Sequence, residues 1–195
     1  MADLIPSGNV EDKIIEAAIE CIEKYGLQGA TSRRIAQMAG VNGAAINYYF
    51  RSKDVLIQRV IKKTLDNAFD WSDFAELPAH NPHDKCFNIF DTLVQGGLRY
   101  PGITRFHFTE MIEHKESSQT FTRFNDFFKD LLIDLQKDGV NLTDDELKLA
   151  VAEIASASLF VSLIPSLFQE SLDINLQDEV SRKEFIRRLV DKLLS

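Results

Sequence analysis

Apolar residues recur with the spacing of an α-helix along almost the whole chain. Within residues 11–25, Ile14, Ala18 and Ile22 fall on one side of a helix while glutamates fall on the other. Gly26 then ends this helix, because glycine readily takes the left-handed conformation that follows a helix end. No stretch alternates apolar and polar residues as a strand does. The chain is therefore predicted to be all-α.

The second part of the chain continues this pattern beyond a polar loop that Pro78 and Pro82 bracket. Five further helices are predicted there, at 83–99, 102–114, 118–138, 143–168 and 178–194. Pro165 falls late in the fourth of these helices and is expected to bend or end it.

Two short predicted helices, at 32–38 and 42–49, lie on either side of Gly40. Thr31 or Ser32 can cap the first of them, and Gly40 can adopt the positive φ that a tight turn requires. Two short helices joined by such a turn are typical of a helix-turn-helix, which places its second helix in the major groove of DNA. The pattern therefore predicts DNA binding.

Charge is distributed unevenly along the chain. The whole sequence has 22 Lys and Arg against 30 Asp and Glu, and its net charge is -8. Between Ser32 and Lys63, however, seven basic residues stand against one acidic residue. Such a basic segment attracts the phosphates of nucleic acid, and a solvated helix face is the alternative interpretation. We call residues 32–63 the basic segment.

Residues 11–60 resemble the DNA-binding domain of TetR-family transcriptional regulators. The resemblance is carried by residues in the family's order, namely Thr31, Ile35-Ala36, Ala39-Gly40-Val41, Tyr48-Tyr49-Phe50 and Ser52-Lys53. It implies a DNA-binding domain over residues 1–51 and, after a linking helix begins, a ligand-binding and dimerisation domain over residues 52–195. It also implies a homodimer, usually a repressor, that leaves a palindromic operator in double-stranded DNA when a small-molecule effector binds.

The resemblance also assigns DNA contacts to individual residues. The predicted contact residues are Thr31, Ser32, Arg33, Asn42, Gly43, Ala44, Asn47, Tyr48, Tyr49 and Lys53. Gly43 and Asn47 depart from the family's common pattern, in which a longer polar residue and a tyrosine are frequent at these positions. Because the base-reading surface is then smaller, Arg33 and Asn47 are predicted to carry most of the sequence preference. Tyr49 could instead be structural and pack the domain.

The C-terminal domain is rich in phenylalanine, since 13 of the 14 Phe follow residue 64. Pockets between bundle helices are mostly apolar with a few polar groups, so a small apolar ligand is predicted there. The predicted ligand-binding residues are Phe87, Phe90, His107, Glu110, Met111, His114, Phe124 and Phe128. For any single phenylalanine, a place in a packed core is the alternative interpretation.

Two late helices carry apolar stripes that are predicted to form the dimer interface. The stripes contain Leu147, Val151, Ile154, Ser158, Val161, Ile186, Leu189 and Val190. A two-fold operator requires a two-fold protein, which favours this interpretation. Core packing within one chain is the alternative.

A metal site is the main competing interpretation of the polar residues. His107, Glu110 and His114 share a helix face at i, i+3 and i+7, a spacing that could hold zinc. A second loose group comprises His80, His83, Asp84 and Cys86. Neither group has a fixed ligand pattern such as HExxH or paired CxxC, so no metal and no cofactor are predicted.

Other function classes find little support in the sequence. There is no P-loop, GxGxxG or GxSxG motif, so the chain is predicted not to be an enzyme. Cys21 and Cys86 lie far apart in helical patterns and are expected to be reduced thiols. No leader pattern and no membrane span is evident, which predicts a cytoplasmic protein with no membrane partner. The alternative to a regulator is a helical interaction module, or a metal-binding protein, whose basic segment binds an acidic partner.

Overall fold

The computed structural model describes residues 10–69, 74 and 79–195, and within these ranges it contains helices and no strand. The prediction of an all-α chain is confirmed. Two compact units make up the chain, Met1–Leu65 and Asp66–Ser195. Pro78, predicted to begin a polar loop, lies outside the described residues.

The N-terminal unit is built from four helices. They are α1 (Val10–Gly29), α2 (Ser32–Ala39), α3 (Ala44–Phe50) and the first part of α4 (Lys53–Ala68). Gly26 breaks α1 with a φ of 69°, so the predicted end of the first helix is found where glycine was expected to allow it. The core of the unit includes Ile14, Ile22, Ile35, Ile46, Phe50 and Leu56, each at most 2% exposed.

The unit boundary lies within α4, whereas the first domain was predicted to end at residue 51. The Lys63 ammonium lies 2.5 Å from a Glu16 carboxylate oxygen and joins α4 to α1. Leu56, Val60 and Ile61 on α4 are buried as well. This helix therefore contributes to the compact N-terminal unit, and the functional boundary between residues 51 and 52 stays a prediction.

The C-terminal unit surrounds one central helix. Its helices are α5 (Pro82–Arg99), α6 (Pro101–His114), α7 (Gln119–Lys137), α8 (Asp144–Leu163), α9 (Pro165–Leu172) and α10 (Glu179–Leu193), and a 3-10 turn, Lys115–Ser117, separates α6 from α7. α8 packs against α5, α6, α7 and α10. Gly97 on α5 approaches α8 so closely that an added Cβ would lie 2.8 Å from the Ser162 Cβ.

Pro165 ends the long apolar helix, as predicted. α8 stops at Leu163, Pro165 occupies the start of α9, and the two helices are bent by 85°. Within the described ranges, no single helix is long and apolar enough to cross a membrane, and α8 with α9 reaches that length and composition only as a bent pair.

Buried ion pairing joins α5 to α10. The Arg182 Nε donates a hydrogen bond of 2.7 Å to Asp91, and the two side chains are 5% and 15% exposed. Nearby, the Arg187 guanidinium lies 3.9 Å from the centre of the Phe87 ring and 2.9 Å from an Asp84 oxygen. The two helices are thus held by charged groups as well as by apolar packing.

Candidate nucleic-acid interface and ligand core

A tight turn at Gly40 joins α2 to α3. Gly40 adopts the left-handed conformation, with φ 66° and ψ 30°, and Val41 donates its backbone N–H to the Ala36 carbonyl at 3.0 Å. Ile35 and Ile46 are completely buried on the inner sides of the two helices. The local structure is the predicted helix-turn-helix, since two short helices meet over a shared core.

The start of α2 is capped by Thr31, one of the two predicted caps. Its hydroxyl accepts a hydrogen bond of 3.3 Å from the backbone N–H of Arg34. The side chains of Thr31 and Arg33 are exposed, and Ser32 is half-buried. Exposed donors at a helix N-terminus suit an anion, because the first N–H groups of a helix and its dipole both favour negative charge.

The start of α3 presents the small polar surface that the sequence predicted. Asn42, Gly43, Ala44 and Asn47 are all exposed. The Asn42 side-chain oxygen accepts a hydrogen bond of 3.0 Å from the backbone N–H of Ala44, the first residue of α3, although Gly43 and not Asn42 occupies the N-cap position. A Cβ added at Gly43 would meet no atom within 4 Å. Packing within the unit therefore does not require glycine at that position.

Two tyrosines extend this surface along α3. Tyr48 is 81% exposed and Tyr49 is 39% exposed, and their rings meet edge to face with centres 5.0 Å apart. Phe50, which follows them, is only 2% exposed. Because Tyr48 has almost its whole ring in solvent, it has the larger surface to offer a partner.

Some basic residues of the basic segment interact with other residues of the N-terminal unit, and others form no ion pair with the described residues. The Arg34 guanidinium donates to the Gly29 carbonyl and lies 4.5 Å from the centre of the Tyr25 ring. Lys63 pairs with Glu16, as described above. Four basic residues form no ion pair with any part of the chain that the structure describes, namely Arg33, Arg51, Lys53 and Arg59.

Arg51 is a residue of this surface that the sequence reasoning missed. It is exposed and follows α3 directly, with a φ of 64° that is unusual for a residue other than glycine. Its backbone N–H donates to the Asn47 carbonyl at 3.0 Å. The available signal was a basic residue placed between Phe50 and the Ser52 that caps α4.

In the C-terminal unit, two of the predicted ligand-binding residues belong to a buried polar group between α6 and α7. The His107 Nδ1 lies 3.1 Å from the Thr120 hydroxyl. Glu110 accepts a hydrogen bond of 2.5 Å from the Ser118 hydroxyl and one of 3.4 Å from the Thr120 backbone N–H. Burial lowers the pKa of His107 to about 4, although the nearby Glu110 carboxylate opposes that shift. His114 is exposed and lies outside this group.

The predicted ligand-binding phenylalanines lie in different parts of the unit. Phe90 is 1% exposed, and Phe87 is covered by Arg187. Phe124 and Phe128 belong instead to a chain of ring contacts that we call the phenylalanine cluster, comprising Phe69, Phe74, Phe108, Phe124, Phe127 and Phe128. Met111 is half-buried on α6. The predicted ligand-binding set therefore does not form one continuous group, and its role stays a prediction.

The predicted dimer stripe is covered by the chain itself. Seven of its eight residues are buried, namely Leu147, Val151, Ile154, Ser158, Val161, Ile186 and Val190, while Leu189 is half-buried. A side chain that its own chain already covers has little surface to give to a partner. The structure thus corrects this expectation in favour of the alternative stated with it, core packing within one chain.

Metal-type residues are not gathered together. In the part of the chain that the structure describes, no three His, Cys, Asp or Glu side chains are grouped as a metal ion would require. In the second loose group, His83 lies 3.1 Å from the Leu194 carbonyl and Asp84 pairs with Arg187. Burial raises the pKa of the Cys86 thiol to about 12, which keeps it protonated.

Comparison with known proteins agrees with the geometry of the N-terminal unit. Residues 14–60 match the family described as bacterial regulatory proteins, tetR family. The HTH-type transcriptional regulator RutR of Escherichia coli (strain K12) is 36% identical over 72 residues, which are 34% of this chain and 34% of that protein. The chain spans about a third of the length of the curated relatives it matches. These relatives are named as HTH-type transcriptional regulators.

Solved structures match over nearly the whole length. A TetR-like transcriptional regulator from Rhodococcus sp. RHA1 aligns with a TM-score of 0.70 and 13% identity, covering 97% of each chain. The fatty acid degradation regulator FadR from Bacillus halodurans aligns with a TM-score of 0.60 and 20% identity, covering 98% of this chain and 97% of that one. At these identities, the two alignments show a shared fold.

Proposed function

Since residues 14–60 of this chain form a TetR-family helix-turn-helix DNA-binding domain, we propose that the protein is a cytoplasmic transcriptional repressor. Two copies bind a palindromic operator through their N-terminal units, and a small apolar ligand in the C-terminal unit releases them. The observation that carries this proposal is the exposed, largely unpaired surface of α3 and the start of α2. Asn47, Tyr48 and Arg33 are exposed on these helices and offer an amide, an aromatic hydroxyl and a guanidinium, groups that contact bases and phosphates.

A dimer needs a face that the single chain leaves uncovered, and α8 has one. Leu149, Ala152, Ser156 and Phe160 are all exposed, at positions i, i+3, i+7 and i+11 of the helix. Leu149 is 64% exposed and Phe160 is 47% exposed. Small residues between two large apolar ones allow another helix to approach closely. We take this stripe, in place of the buried one, as the centre of the dimer interface.

Replacing Phe160 with glutamate is expected to weaken the dimer by about 30-fold or more, because a buried aromatic anchor becomes a charge at the interface. Sedimentation equilibrium of the full chain measures this change. Lys129→Glu, an exposed substitution on α7, is the matched control and is expected to leave the dimer intact. An unchanged dissociation constant for Phe160→Glu would place the interface elsewhere.

The proposed DNA binding is tested by selecting bound duplexes from a random pool at near-physiological salt, using protein refolded to remove any bound ligand. The expected result is a palindromic consensus with half-sites about one helical turn apart. Folded, dimeric protein that enriches no sequence would contradict the proposal. If that protein still bound acidic polymers in a salt-dependent way, the basic segment would serve an acidic partner instead.

Asn47→Ala is expected to remove base preference at one position of each half-site, by about 10- to 100-fold, because a side-chain amide can bridge two atoms of one base. Lys53→Ala is the contrast, since loss of a phosphate contact weakens binding to all sequences and lowers the salt slope by about 1. Repeated selection and titration with both variants measures these effects. A uniform loss of affinity for Asn47→Ala, with its base preference intact, would refute the assigned role.

A further inference from the structure

Arg123 on α7 is a partly buried cation whose hydrogen bonds are incomplete. Its Nη2 donates a hydrogen bond of 2.5 Å to the Phe69 carbonyl. Its Nε is buried and has no hydrogen-bond partner. No carboxylate in the described ranges forms an ion pair with it. Among the described residues, the guanidinium therefore has one hydrogen-bond partner, the neutral Phe69 carbonyl.

Among the buried polar groups of the described residues, the Arg123 guanidinium, with its unsatisfied hydrogen-bonding capacity, is the strongest indication of a ligand. Buried donors without a partner are rare in folded proteins, and the cost is greatest for charged groups. Ser158 Oγ is the other buried side-chain atom that lacks a partner in the described ranges, but it is a neutral hydroxyl. His107 and Glu110, in contrast, already have partners within the protein.

The surroundings of Arg123 are aromatic. The ring of Phe69, whose carbonyl accepts the Arg123 hydrogen bond, lies with its centre 4.8 Å from the Phe124 ring and 5.1 Å from the Phe127 ring. Phe127 follows Arg123 by four residues and so lies on the same side of α7. Phe124, Phe128 and Phe108 are half-buried, which leaves part of the phenylalanine cluster accessible. A charged group thus stands at the edge of an apolar surface.

We propose that Arg123 is the charged anchor of the effector site and that the effector is a carboxylic acid with an apolar body. A planar guanidinium matches the geometry of a carboxylate, which would accept a hydrogen bond from the unpaired Nε. The apolar body packs against the phenylalanine cluster and removes its exposed edges from water. This inference rests on the proposed function, because it names the ligand class of the C-terminal unit.

The test compares acids with alcohols of the same shape. Decanoate and cinnamate are titrated into the full chain by calorimetry, with decanol and cinnamyl alcohol as uncharged counterparts. At least one acid is expected to bind about 10- to 100-fold more tightly than its alcohol, as hydrogen bonds to a charged group contribute this much. Arg123→Gln is expected to lower the affinity for that acid to the affinity for its alcohol, and to leave the affinity for the alcohol unchanged.

Two further variants guard against misfolding and non-specific charge effects. Arg123→Lys retains the charge without the planar fork and is expected to keep part of the acid preference. Arg105→Gln removes an exposed arginine from α6 and is expected to change nothing. The thermal midpoint of each variant shows whether it is folded, and if Arg123→Gln does not fold, the comparison with Arg123→Lys decides the role.

Three results would overturn the ligand assignment. They are the absence of a preference for either acid, an acid preference that stays at its full wild-type size in folded Arg123→Gln or folded Arg123→Lys, and a loss of preference in Arg105→Gln as well. The selection of bound duplexes separates this inference from the proposed function. Selective DNA binding without an acid preference refutes the ligand class alone. An acid preference without selective DNA binding refutes the proposed repressor function but supports the assignment of Arg123 as the residue that binds the carboxylate.

Discussion

Replacing Asp91 with alanine is expected to destabilise the C-terminal unit by about 3–5 kcal/mol, the range found when one partner of a buried ion pair is removed. Arg182 is 4% exposed and donates directly to the Asp91 carboxylate. Without that carboxylate, the guanidinium stays buried between α5 and α10 with its charge uncompensated. Chemical denaturation of the full chain, followed by helical circular dichroism, measures the change in the free energy of unfolding.

Two further variants test whether burial of the ion pair causes the large destabilisation expected for Asp91→Ala. Asp84→Ala breaks the ion pair with Arg187, in which the side chains are 27% and 36% exposed, and is expected to cost less than about 1 kcal/mol. The double variant Asp91→Leu with Arg182→Met removes both charges and is expected to recover most of the lost stability. Equal losses for Asp91→Ala and Asp84→Ala would show that the buried pair has no special role.

The second large expected effect is a loss of folding stability at acid pH, which is caused by His107. Burial between α6 and α7 lowers its pKa from 6.5 to about 4. The unfolded chain therefore binds a proton more readily than the folded chain does. The stabilisation from the neutral ring is complete above pH 6.5, falls as the pH drops below that value, and is lost by about pH 4. Over this window we expect a loss of about 3 kcal/mol.

His107→Gln isolates this contribution, because an amide can still bond to Thr120 but does not titrate. Urea denaturation at intervals between pH 7 and pH 4 gives the free energy of unfolding for both proteins. The wild-type curve is expected to fall more steeply, by about 3 kcal/mol over the whole range. Parallel curves for the two proteins would mean that His107 titrates in the folded chain as it does in water.

Features that short segments determine were predictable from the sequence. Gly26, Gly40 and Pro165 mark helix ends because each acts through its own backbone conformation, and the structure has breaks at all three. The helix-turn-helix was predictable for the same reason, since its turn, its small core and its exposed face all lie within about twenty residues. The exposed positions on α3 follow from that local geometry.

Features that depend on which helices meet were not predictable in this way. The spacing on α8 indicates an apolar face, but it does not say whether the same chain or a second chain covers it. In the structure, α8 packs against α5, α6, α7 and α10, and the predicted stripe residues on α8 are buried. Likewise, His107 and His114 both lie on α6, but only His107 is buried and contacts Thr120 on α7, whereas His114 is exposed at the helix end.

Arg123 was missed for a related reason. Its partner carbonyl belongs to Phe69, 54 residues earlier, and no pattern within α7 indicates that contact. An arginine three residues before an aspartate on a helix, as Arg123 is before Asp126, is ordinarily interpreted as part of a solvated face. Only its buried, unpaired Nε distinguishes it from other surface cations.

If two copies associate through the exposed stripe on α8, as proposed above, the stability of the folded state depends on the protein concentration. A lone chain leaves Leu149 and Phe160 in water, and association removes that apolar surface, so the folded state gains stability by mass action as the concentration rises. The midpoint of thermal unfolding should then increase with protein concentration. For the proposed dimer, a smaller fraction of the chains would be folded and paired when few copies are present. Occupancy of the proposed operator would then rise more steeply than the amount of protein.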